Sequence, residues 1–290
     1  EDVKFLCKFV CQIKLWNAQI IMKKITTIIF VLTSFLSFSG NEKRNDGSRA
    51  ASMGFTGVSI SDFWSVTNNQ AGLAYIENLS IGLYTENKFL LKELNRSAIA
   101  IVNPLNSGVI GLSLSYFGYN MYNEKKLGIA YSRKFSEMIA FGLQLDYFHT
   151  KLGDNYGSKS AVTFELGFIA KINKNLSIGG HIYNPIQAKF NDYNNEKIPS
   201  TIAIGLANKF SENILTTIEF EKSINTPLNL KTGIEYKITE NYFARLGINT
   251  NPELLTFGFG FNYSSFTFDF SSNYHQILGY SPQMSVIYRF

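Results

Sequence analysis

The chain has 290 residues, 45% apolar and 15% aromatic, with 27 basic and 22 acidic side chains and only two cysteines, Cys7 and Cys11. Five lysines (4, 8, 14, 23, 24) and two acids (Glu1, Asp2) lie in the first 39 residues, so residues 40–290 keep 22 basic and 20 acidic groups, a balance of +2. The high pI therefore belongs to the leader and argues for no nucleic-acid partner, and a chain without further cysteines excludes disulfides and thiolate metal sites.

In chain order, residues 1–21 precede a second beginning at Met22-Lys23-Lys24 and read as upstream or non-native extension. Residues 22–39 read as a secretory signal: a basic head, the apolar run Ile25 to Leu36, and the small pair Ser37 and Ser39 before a cleavage point at Gly40 or a few residues later. A helical anchor over residues 5–36 is the competing reading, and Lys8, Lys14, Lys23 and Lys24 interrupt it. Residues 40–77 form a separate, small-residue segment.

Residues 78–290 carry repeated stretches in which every second side chain is bulky and apolar, the period of a strand with two unlike faces. The stretches are Asn78 to Glu86, Arg96 to Asn103, Gly108 to Phe117, Lys125 to Lys134, Ile139 to Thr150, Ser160 to Ile172, Asn175 to Asn184, Thr201 to Phe210, Ile214 to Glu221, Leu228 to Ile238, Tyr242 to Asn249, Leu254 to Tyr263, Phe266 to Ser272 and Tyr280 to Phe290. About fourteen strands of 9 to 11 residues, with no apolar run long enough for a helical span, predict an all-β, transmembrane antiparallel β-barrel. The connections alternate: short ones at 104–107, 135–138, 173–174, 211–213, 239–241 and 264–265, longer ones at 87–95, 118–124, 151–159, 185–200, 222–227 and 273–279. Tight turns on one rim and longer loops on the other predict an outer-membrane barrel with both ends of the mature chain on the tight-turn, periplasmic side.

Face assignment predicts lipid contact for Ile139, Phe141, Leu143, Leu145 and Tyr147, for Val162, Phe164, Leu166 and Phe168, and for Phe257, Phe259, Phe261 and Tyr263. The charges fall on the opposite face: Asp146, Glu165, Glu219, Glu221, Glu235 and Asp269 against Lys231, Lys237, Arg245 and Arg289. A Lys or Arg facing lipid at mid-bilayer costs about 2–4 kcal/mol, which makes such sorting a physical requirement. Mixed signs predict ion-paired ladders or a wet lining that selects for neither charge, rather than a tuned ion filter.

Residues 41–77 break the strand period, and Phe55, Phe63, Trp64 and Leu73 are costly to leave in water, which predicts a packed hatch or plug in the barrel mouth. Ser48-Arg49-Ala50-Ala51-Ser52-Met53-Gly54, Val58 to Asp62, and Asn69-Gln70-Ala71-Gly72-Leu73-Ala74 resemble the N-terminal signature of FadL-type transport barrels and of the PorV/PorQ barrels tied to type IX secretion in Bacteroidota. The resemblance covers about thirty residues, and Gln70 stands where those families usually carry Pro. It implies a fourteen-stranded wall with an N-terminal hatch whose residues include Arg49, Met53, Gly54, Asp62, Trp64, Asn69, Gln70, Ala71 and Gly72. The terminal Tyr288 and Phe290 resemble the signal that hands such barrels to their insertion machinery.

For chemistry, His149, His181 and His275 have no metal-ligand spacing, and His181 with Ser177 is the one pair suggestive of a nucleophile and base; ordinary lumen or rim histidines are the simpler reading. No P-loop or nucleophile elbow is present, which predicts neither an enzyme nor a cofactor. Three functions follow: passive movement of a small solute across the outer membrane, an accessory barrel bound to a secretion-complex protein, or a closed structural barrel with no cargo. In all three, the partners include outer-membrane lipid and the insertion machinery.

Overall fold

The computed structural model describes residues 43–153, 157–190, 197–224 and 226–290. The expected extension over 1–21, the signal over 22–39, and Tyr193 of the longest loop lie outside the described residues. Fourteen antiparallel strands form one closed cylinder: β1 Ser80–Asn87, β2 Asn95–Leu105, β3 Gly108–Tyr119, β4 Tyr122–Lys134, β5 Ile139–Leu152, β6 Ser158–Lys171 and β7 Leu176–Tyr183. It continues with β8 Thr201–Ser211, β9 Ile214–Ser223, β10 Asn229–Lys237, β11 Tyr242–Thr250, β12 Glu253–Tyr263, β13 Phe266–His275 and β14 Gly279–Arg289. Each strand pairs with its sequence neighbours, and β1 closes on β14 with Ser80 opposite Arg289 and Glu86 opposite Gln283. Closure leaves no edge, so every strand's backbone groups have a partner across the wall.

The alternation in the sequence becomes the two faces of that wall. Along β5, Ile139, Phe141, Leu143, Leu145 and Tyr147 point outward and are exposed, while Ala140, Gly142, Gln144, Asp146 and Phe148 are buried inside. The same holds for Val162, Leu166 and Phe168 on β6, and for Phe257, Phe259 and Phe270 on the β12–β13 pair. An exterior of Leu, Ile and aromatic side chains, with the charges of these strands turned inward, is the inverse of a water-soluble barrel. Among the described residues no helix is long and apolar enough to cross a membrane.

The loop contrast is weaker than expected. The tight rim has connections 106–107, 135–138, 172–175, 212–213, 238–241 and 264–265; the other rim has 88–94, 153–157, 184–200 and 224–228, but also 120–121, 251–252 and 276–278. Segments 118–124 and 273–279, expected as loops, are mostly strand, and 151–159 is strand at both ends, because pairing continues past the apolar belt with Tyr119 opposite Tyr122 and His275 opposite Gly279. Their polar composition marks emergence from the apolar zone, and the ladder runs on without it.

Candidate functional site

Residues 43–77 occupy the lumen, as their contacts with strands all round the cylinder require. A short helix, α1 (Ser48–Ser52), lies against β11–β14; a second, α2 (Ser65–Asn68), meets β3; and a 3-10 turn over Gln70–Tyr75 packs on β3–β6. Small inward positions make the fit. Gly142 of β5 lies beneath the backbone of Gln70 and Ala71, where a Cβ has no room. Gly54 turns with φ +70 beneath the carbonyl oxygens of Thr232 and Ile248, a conformation and a clearance that together demand glycine.

One half of the lumen is apolar. Phe63, Trp64, Val66 and Leu73 of the segment pack on Tyr84, Ala98, Ala100, Val102, Val109, Ala130 and Ile287 of β1–β4 and β14. Trp64 is fully enclosed, edge-on to Phe63 at 5.1 Å and to Tyr84 at 5.8 Å.

The other half is built from charge. Arg49 grips Glu235 with two parallel bonds, Nε to Oε2 at 2.9 Å and Nη2 to Oε1 at 2.7 Å, and reaches Asp62 at 3.4 Å. Glu235 also accepts from Arg245 at 2.6 Å, and Arg245 donates to Asp269 at 2.6 Å. Burial pushes the Asp62 carboxyl up, and the Arg49 guanidinium opposes that shift.

Further round, Glu219 accepts the backbone N–H groups of Gly57 and Val58 at 2.9 and 3.1 Å and pairs with Lys231 at 3.1 Å. Lys231 also meets Glu221 at 2.9 Å, which Lys43 of the segment reaches at 3.3 Å. Gln70 donates to Glu165 at 2.8 Å, and Glu165 also bonds His181 at 2.9 Å and Lys126. Lys126 pairs with Asp146 at 3.3 Å. A proline at position 70 has no side-chain amide to offer Glu165, so the departure from the family pattern creates a tie between segment and wall.

Of the expected hatch residues, Met53 is buried over Gly233 and Gly247; Asn69 donates to the carbonyls of Val58 and Phe168 and accepts from Ala71 at 3.2 Å. Ala71 accepts from Ser132 at 3.3 Å, and Gly72 donates to the Asn69 carbonyl at 2.9 Å while lying against Ser65. Of the expected lumen charges, Asp146, Glu165, Glu219, Lys231, Glu235, Arg245 and Asp269 are buried and Glu221 nearly so. Lys237 and Arg289 keep the inward phase but sit at the rim: Lys237 pairs with Glu240 at 3.0 Å, and the exposed Arg289 donates to Thr267 at 2.9 Å.

Of the two linings expected, ion-paired ladders or a wet wall, the described residues show ion-paired ladders, to which the segment adds further counter-charges while filling the space. A cavity beside Arg44, Arg96 and Lys126 has a volume of about 20 Å³, room for roughly one water. Ser177 donates to the Ser59 carbonyl at 3.0 Å and His181 bonds Glu165, so each of that pair has a different partner. At the chain end, Tyr288 lies 4.8 Å from Phe266 and from Phe290, and the Phe290 N–H donates to the Leu79 carbonyl at 2.9 Å.

Sequence reading missed Asp46, whose carboxylate takes two bonds from Arg96 at 2.7 and 3.1 Å, and Arg44, which pairs with Glu124 at 3.5 Å and lies over Phe117. Arg96, Glu124 and Lys126 sit where strands emerge from the apolar zone and read as loop-flanking polar residues. Only their register, opposite a segment with its own charges, marks them as lumen contacts.

These features define a class: a closed fourteen-stranded barrel with an apolar exterior and a lumen plugged by its own N-terminal segment. No family model and no curated protein matches the sequence. Solved structures do. The Pseudomonas putida toluene transporter TodX superposes with a TM-score of 0.63 at 12% identity, covering 86% of this chain and 99% of that one. The Ralstonia pickettii toluene transporter TbuX gives 0.63 at 11% identity over 87% and 99%, and a Pseudomonas aeruginosa FadL homologue 0.62 at 12% over 87% and 100%. At such identity the likeness is one of fold.

Proposed function

We propose that this chain is an outer-membrane barrel that moves a small solute across the membrane passively, with residues 43–77 as a plug that must shift for passage. The observation that carries this reading is the plug itself. It is joined to the wall by hydrogen bonds and ion pairs rather than by continuous strand pairing, so it can move as a unit while the cylinder stays closed. The apolar exterior supports residence in lipid, and the ends of β1 and β14 on the tight-turn rim support a periplasmic position for both termini. TodX and TbuX are toluene transporters, and the shared fold supports transport as the class of function. Outer-membrane lipid is then the surrounding partner, and Tyr288 and Phe290 the contact for the insertion machinery. The lumen's polar half argues against an uninterrupted greasy path, which favours a small solute over a long acyl chain.

A second reading is favoured by the tightness of the packing: a sealed accessory barrel, like the PorV/PorQ type, that anchors a secretion-complex protein. Flux decides between them. Proteoliposomes holding the protein, compared with the same barrel lacking residues 43–74, should show solute flux that rises on deletion. A barrel that stays silent after deletion contradicts transport, and repeated crosslinking to one protein in native membranes then supports the accessory reading.

A further inference from the structure

Deep in the barrel the charges meet opposite charges; at the mouth on the tight-turn rim the pattern changes. One step past the buried Ser132, Ile169 and Ala207, on the same inward face of β4, β6 and β8, stand Lys134, Lys171 and Lys209. Among the described residues none of the three makes an ion pair. Lys171 lies 3.3 Å and Lys134 5.0 Å from the ring centre of Tyr75, the last residue of the plug's 3-10 turn. Lys209 stands across β7 from Lys171, and its charge and that of Lys134 are both felt there. The Tyr75 hydroxyl is shielded from solvent and has no hydrogen-bond partner. Glu137, in the turn 135–138, is the acid whose field reaches Tyr75 and Lys171, and it remains beyond ion-pair distance.

Two ammonium groups over one ring, with that of Lys209 close by, repel one another; the corresponding step is Pro104 on β2 and Asn262 on β12, while Lys237 on β10 is paired with Glu240 and Arg289 on β14 is bonded to Thr267. We propose that this mouth binds an oxyanion, a phosphate or carboxylate carried by a small solute, through Lys134, Lys171 and Lys209 with the Tyr75 hydroxyl as a further donor. Two of the cations meet on the Tyr75 ring and the third stands across β7 from Lys171, a local cluster that suits one anionic group rather than a broad acidic protein surface. Bound there, the anion also touches the end of the plug, so the site supplies a charge preference that the paired interior lacks. The site stands whether the barrel conducts or is sealed, so its failure leaves the transport reading untouched.

Residue-by-residue lysine acetylation, followed by mass spectrometry on the folded full chain in detergent, tests it. Samples hold sodium chloride, pyrophosphate, citrate or a polyglutamate peptide at matched ionic strength. An anion seated among ammonium groups favours their charged, unreactive form, so pyrophosphate and citrate should slow acetylation of Lys134, Lys171 and Lys209 about threefold or more. Lys92 and Lys151 should be unchanged, and Lys171→Gln should abolish protection at the other two. No slowing, or equal slowing at every lysine, overturns the site. Protection by polyglutamate alone overturns it in favour of a docking surface for an acidic protein.

Discussion

Arg49 ties the plug to the wall through two charge-assisted bonds, and Arg49→Met should loosen it measurably. The substitution keeps the apolar stem and removes two charge-assisted bonds to Glu235, at 2.7 and 2.9 Å, and the 3.4 Å contact with Asp62. Breaking one side of a buried pair costs about 3–5 kcal/mol. Here Arg245 still holds Glu235 at 2.6 Å, and the Arg49 side chain is 25% exposed, so the lower end, roughly 3 kcal/mol, is the appropriate figure. If all of it falls on the docked plug, the undocked population rises about a hundredfold. Both cysteines of the sequence lie in residues 1–39, so a chain made from residue 40 onward and carrying Ser52→Cys has a single thiol, placed where Ser52 is completely buried in α1. Maleimide labelling of that thiol in detergent-solubilised barrel should accelerate by roughly two orders of magnitude in the Arg49→Met background, and less in Arg49→Lys. A labelling rate within threefold of the parent would refute the reasoning, because Arg49 would then contribute nothing to docking.

Gly142→Val should drive the turn at Gln70–Ala71 off β5, at a cost of about 1–3 kcal/mol, seen as faster protease cleavage within residues 43–77 while the barrel stays heat-modifiable on gels. Gln70→Ala should weaken the plug by about 1–2 kcal/mol through the lost bond to Glu165, read as a smaller rise in the same Ser52→Cys labelling. Leu143→Lys, on the exposed face of β5, should reduce insertion into vesicles by about 2–4 kcal/mol, whereas Leu143→Phe should leave it unchanged. Removing Phe290 should lower the yield of folded barrel in outer membranes without altering the stability of the barrel that does insert, measured by refolding purified chain in detergent.

Fourteen strands were legible because a wall between oil and a packed lumen imposes the strictest two-residue alternation in protein structure, and Ile139 to Tyr147 or Phe257 to Tyr263 satisfy it with no exception. Strand ends were less legible. Past the apolar belt the outward face becomes polar, as at Lys125, while the ladder continues, so composition no longer distinguishes strand from loop. The plug was legible as a segment from its small residues and stranded aromatics, yet its partners were not. Pairings such as Asp46 with Arg96 or Gly57 with Glu219 join residues 50 and 162 positions apart, and nothing local to either end encodes them. Charge on the inward face was visible; which of those charges pair with one another across strands and which take partners from residues 43–70 needed the register of the closed sheet.

The account rests on an outward face in lipid and an inward face against the plug. A nitroxide scan along β5 from Ala140 to Phe148 in lipid vesicles tests it most directly. Labels at Phe141, Leu143, Leu145 and Tyr147 should be accessible to oxygen dissolved in the bilayer and inaccessible to a water-soluble nickel chelate, with Gln144, Asp146 and Phe148 immobilised and shielded from both. Loss of the two-residue period, or ready access of the nickel chelate to the outward set, would contradict a barrel that spans the membrane in this orientation.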